Sequence, residues 1–100
     1  MSANVASLDL YRFRLFIAGD TLNSAQALRN LTDICNAHLP ARHQIEVVDV
    51  FAEPARALAE GILMTPALVK LWPQPVRKII GTLSNAQIVL HALEISDLPP

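Results

Sequence analysis

Leu10-Tyr11-Arg12-Phe13-Arg14-Leu15-Phe16-Ile17-Ala18-Gly19-Asp20-Thr21 is the stretch that decides the fold. Arg12 and Arg14 alternate with Phe13 and Leu15, and then the run turns wholly apolar. That is the pattern of a strand with one polar face at its start and a buried end. Gly19-Asp20-Thr21 is turn chemistry, and Thr21, Asn23 or Ser24 can each cap a following helix. Leu28, Leu31, Ile34 and Cys35 fall on one face of that helix, with Arg29, Asn30, Asp33 and Asn36 opposite. Leu39-Pro40 stops it, because the residue before a proline is pushed out of the helical region.

Working outward, Ile45–Phe51 is β-branched and partly alternating, so a second strand is expected there. Pro54 suits the first turn of a short Ala-rich helix through Glu60, closed by Gly61. Ile62–Leu71 is apolar but interrupted by Thr65-Pro66, and a proline without an N–H belongs at a strand start or an edge. Trp72-Pro73-Gln74-Pro75 reads as a turn, and Val76–Ile80 as a short strand stopped by Gly81. Ser84 and Gln87 have the spacing of a capping box, with Leu83 and Ile88 as its staple. Ile88, Leu90, Ala92, Leu93 and Ile95 supply the apolar side of that last helix.

The order β-α-β-α-β-β-α predicts an α/β, thioredoxin-like topology: a parallel βαβ unit, a helix, a hairpin and a terminal helix. In that topology the Gly19–Ser24 loop stands where the active-site loop lies, and Pro66 where a cis proline faces it. One domain is expected over residues 1–100, with its core at about 10–95 and loose ends outside it. Apolar residues make up 52% and charged residues 17%, a balance that points to self-association or a partner surface. The formal net charge of −1 speaks against general attraction to nucleic acid or membrane. No apolar run is long enough to span a bilayer and the N-terminus lacks a signal-peptide pattern, so a cytoplasmic protein is expected.

Thiol–disulfide exchange needs two adjacent thiols, one activated at a helix N-terminus. Here the loop before the first helix has none, and the lone Cys35 falls about three turns downstream on the apolar face, as a small core residue. His38, His43 and His91 do not have metal-ligand spacing, and no nucleotide-binding glycine motif is present. Catalytic, cofactor and metal residues are therefore expected to be none, and the chain is read as a binding protein. A thiol-based redox role for Cys35 alone is the alternative from another class. Between Gly61 and Leu93 there is no acid, while Lys70, Arg77 and Lys78 form a local basic stretch. It reads either as a partner or subunit contact or as ordinary solvated charge.

Several separated motifs in correct register resemble the KaiB family: Ala18–Ser24, Val48-Asp49-Val50, Met64–Lys70, Pro75–Gly81 and Leu83-Ser84-Asn85. The resemblance spans about Tyr11 to Leu93. It implies a non-enzymatic regulator of a Kai-type circadian clock that binds the KaiC ATPase/kinase and modulates its phosphorylation. KaiA, or a SasA-like histidine kinase, would be a further partner. It also implies a homo-oligomer, tetramer or dimer, and a metamorphic chain whose C-terminal half takes a second arrangement in a tetrameric ground state. Pro66, Pro73, Pro75 and Gly81, which punctuate short apolar runs, are the candidate switch positions. Lys70, Arg77 and Lys78 match basic positions of the family motif. Leu22, Gln26 and Gln74 depart from it, and so does the absence of an acidic tail. The alternative within the family is a divergent KaiB-like protein in stress adaptation or signalling, paired with a non-standard KaiC.

Overall fold

The structure, a computed structural model, describes residues 10–95. Its elements are β1 (Tyr11–Ile17), α1 (Leu22–His38), β2 (His43–Asp49), α2 (Pro54–Ala59), β3 (Ala67–Trp72), β4 (Arg77–Ile80) and α3 (Ala86–Ala92). The sheet runs in the order β2-β1-β3-β4. β1 is parallel to β2, with Phe13 beside Ile45, and antiparallel to β3, while β4 closes an antiparallel hairpin on β3. The expected element order holds.

β1 alternates, so its side chains feed two cores. Tyr11, Phe13 and Leu15 join Ala27, Leu31, Ile34 and Cys35 of α1 and Val89 of α3, together with the flanking Leu83 and Leu93. Phe16 points the other way, to Val48, Ala57, Ile62, Ala67 and Val69, beneath α2. The first face thus carries two helices and the second only one short helix. Burying each large side chain contributes about 1.5–3 kcal/mol, so the α1/α3 core dominates.

Several local expectations are corrected. β2 begins and ends two residues earlier than Ile45–Phe51. His43 already pairs with Tyr11, while the Asp49 carboxylate accepts from Phe51 N at 2.9 Å and turns the chain there. On α1 the inward stripe is Ala27, Leu31 and Ile34, flanked by Ser24 and Cys35, which leaves Leu28 at the margin. The last helix is capped by Asn85, whose side chain accepts from Ile88 N at 3.2 Å, so Ser84 and Gln87 form no capping box. Ile88 is accordingly exposed and cannot staple to Leu83, and Val89 takes the buried place. Trp72 is the last residue of β3 rather than the start of the turn.

Other expectations are met. Thr21 caps α1 and Pro54 sits in the first turn of α2. Gly61 closes α2 with φ +69, a conformation that costs glycine little. The Thr65-Pro66 bond is cis, as are Trp72-Pro73 and Gln74-Pro75.

Candidate functional site

The carboxyl ends of β1 and β2 and the start of β3 meet at one end of the sheet, since Phe16 pairs with both Val48 and Ala67. Three loops converge there: Ala18–Thr21, Val50–Glu53 and Ile62–Pro66. The first is fixed by side chains. Ser24, almost fully buried, accepts from Ala18 N at 3.0 Å and from the Thr21 hydroxyl at 2.6 Å. Asp49 accepts from Gly19 N at 3.1 Å as well as from Phe51 N, tying the first two loops together. Gly19 has φ +60, and a Cβ there would stand 3.4 Å from the Phe51 ring. The Cβ contact would be an ordinary one, so it is the positive φ that favours glycine here. On the far side Gly81 N donates to Pro66 O at 2.9 Å and holds the end of β4 against the cis proline.

This rigid end is apolar where it meets solvent. Leu63 is 89% exposed, Phe51 74% and Leu22 72%, with Met64 and Ile80 also exposed. Concentrations of large exposed apolar side chains are common at interaction surfaces. No thiol stands in it. Cys35 lies inside the α1/α3 core, where burial pushes its thiol up to about 12. A thiol so hard to ionise is a poor nucleophile. Among the described residues no three His, Cys, Asp or Glu side chains cluster to hold a metal ion.

Lys70, Arg77 and Lys78 are not brought together as one patch. Lys70 is only 1% exposed, on the α1/α3 face between Phe13 and Arg77. Desolvation lowers its pKa; Glu94 partly opposes the shift, and Arg77 adds to it. Arg77 faces the same side and forms an ion pair with Glu94, at 2.6 Å from Nη2. Lys78 is opposite Val69 and so points to the α2 face, where its Nζ donates to Glu60 O at 2.9 Å. The contiguous basic stretch of the sequence is thus split by strand alternation.

A family model described as the KaiB domain matches residues 14–95. The chain belongs to the KaiB family. Circadian clock protein KaiB3 of Synechocystis sp. is 42% identical over 82 residues, covering 82% of this chain and 80% of that protein. Circadian clock oscillator protein KaiB of Prochlorococcus marinus is 42% identical over 85 residues, covering 85% and 71%. Among solved structures, the N-terminal domain of Synechococcus elongatus SasA superposes with TM-score 0.71 at 19% identity, covering 92% of this chain and 90% of that one. Chloroplastic thioredoxin z gives TM-score 0.70 at 21% identity, covering 95% and 88%. This KaiB-family chain therefore has a thioredoxin-like fold. Its exposed residues at the loop end were not singled out from the sequence. The signal was there in Leu22, Phe51, Leu63 and Met64, large apolar residues set against turns rather than within strands.

Proposed function

We propose that this chain is a non-enzymatic, cytoplasmic regulator of a Kai-type clock that binds a KaiC-type ATPase and modulates its phosphorylation state. The observation that carries the proposal is the apolar, thiol-free end at Gly19, Phe51 and Pro66 in a chain of the KaiB family. A thioredoxin-like frame without a reactive thiol at this end retains a surface for binding and nothing for disulfide exchange. Leu63, Met64 and Phe51 are assigned as its apolar anchors, and Lys78, beside Gly61, as a basic contact at its margin. Arg77, exposed, ties β4 to the segment after α3 through Glu94, and Lys70 lies buried beside it on β3. KaiA or a SasA-like kinase is a further partner on this reading. So is a second copy of the chain in a homotetramer or dimer, reached by rearranging the segments bounded by Pro66, Pro73, Pro75 and Gly81.

The test is a mixture with the KaiC-type ATPase of the same genome, following the phosphorylated fraction of that ATPase over time. A faster fall in phosphorylation with the wild-type chain, lost with Leu63→Asp/Met64→Asp, is expected. An unchanged fraction with the wild-type chain would overturn the proposal.

A further inference from the structure

At the opposite end of the sheet β1 and β3 carry a feature that the loop end does not use. Their pairing slips between Arg12 and Phe13: Phe13 faces Lys70, but Arg12 faces Trp72, so Leu71 is an extra residue on β3. Regular alternation would put Trp72 on the α1/α3 face with Leu68 and Lys70. The bulge instead re-aims it to the α2 face, beside Arg12, as bulges commonly do. Leu10, Arg12, Leu71 and Trp72 line one shallow cleft there of about 360 Å³. A second of about 480 Å³ shares Arg12 and Leu71 and extends to Gln44 and Glu46 of β2. α2 is too short to cover this half of the face, and Trp72 remains 42% exposed.

The charges on this face are unevenly matched. Arg14 bonds Glu46 at 2.7 Å and Glu60 at 2.5 Å, and Arg56 bonds Glu46 at 2.9 Å. The Arg12 side chain forms no ion pair or hydrogen bond with any described residue. A guanidinium cannot discard its charge, so Arg12 stands as a permanent uncompensated cation between an indole and a leucine. Arg and Trp are the side chains over-represented at binding hot spots.

We propose that this cleft docks an acidic segment of a partner protein, with a carboxylate on Arg12 and a neighbouring apolar side chain between Leu71 and Trp72. Charge complementarity selects the acid. The cross-strand neighbours Arg12 and Trp72 set the spacing of its two anchors, roughly 5 Å apart. This surface is separate from the loop end, and the proposal stands or falls without the KaiC reading.

Trp72 is the chain's single tryptophan, so the cleft carries its own reporter. The probe is a capped six-residue peptide of alternating glutamate and leucine, titrated into the full chain while tryptophan emission is recorded. A saturable blue shift is expected, weakened by salt and absent with the lysine-for-glutamate peptide. Arg12→Glu should weaken it at least tenfold. Arg12→Gln serves the same purpose if circular dichroism shows Arg12→Glu unfolded. The proposal is overturned by no shift, by equal affinity in the Arg12 variant, or by equal binding of the lysine peptide. It is likewise overturned if only phosphatidylserine-containing vesicles produce the shift, which would make the face a lipid contact.

Discussion

The two halves of the molecule are built differently. In β1-α1-β2 local pattern and tertiary packing agree: two parallel seven-residue strands flank a 17-residue helix, capped by Thr21, with five buried residues. The β3-β4-α3 half has strands of six and four residues and a seven-residue helix. It buries a lysine and holds two non-glycine residues, Leu83 and Glu94, at φ 62 and 55 in the left-handed region, against Ala41 at φ 58 in the first half. It is joined to the first half by the β1–β3 ladder, by the shared α1/α3 core and by Asn30, which donates to Thr82 O at 2.7 Å, while Arg77 pairs with Glu94 within it. The contrast teaches that the first half is the platform and the second the region where local preference and packing conflict.

The sharpest way to break the platform is Leu31→Ala. Leu31 is fully buried between α1 and β1, so a loss of about 2–5 kcal/mol is expected in urea unfolding. Next come the two helix caps, which compare the halves with like chemistry. Thr21→Ala should cost about 1–2 kcal/mol, because its hydroxyl also holds Ser24, and Asn85→Ala nearer 0.5 kcal/mol. Equal losses would contradict the contrast.

Lys70→Met probes the conflict directly. The folded-state pKa of Lys70 lies below its ordinary value, so its penalty is full below the folded pKa and disappears as pH rises past 10.5. The wild-type chain should therefore gain stability on approaching pH 10.5. Lys70→Met should raise the urea midpoint at neutral pH and abolish that alkaline gain.

The smallest effect is on the α2 face. Hydrogen bonds from Arg56 and then Arg14 lower the Glu46 pKa from 4.5 to about 2. Its contribution is present above about pH 4.5 and lost as pH falls towards 2. The pair is exposed, so the amplitude should stay below about 1 kcal/mol and shrink in salt, and Glu46→Gln should remove it.

Legibility in the sequence follows the same division. β1, α1 and the thioredoxin-like order are readable because the alternation of β1 and the long apolar stripe of α1 match the faces they bury. The sequence leaves the cap of α3 open because Ser84 and Asn85 are both good caps, and the burial of Val89 goes with Asn85. Trp72 reads as part of the turn because a bulge leaves no mark in a run of apolar residues. The basic stretch Lys70, Arg77 and Lys78 looked like one patch because sequence proximity does not show strand alternation or the burial of Lys70. The thiol-free loop, by contrast, is plain from the single cysteine and its place at Cys35.

The most direct measurement is co-elution with the KaiC-type ATPase of the same genome, by size exclusion with light scattering, for three chains. The wild-type chain and Cys35→Ser should form the complex equally, and Leu63→Asp/Met64→Asp should not. Loss of the complex with Cys35→Ser, or its full retention with Leu63→Asp/Met64→Asp, would contradict binding through the thiol-free apolar end.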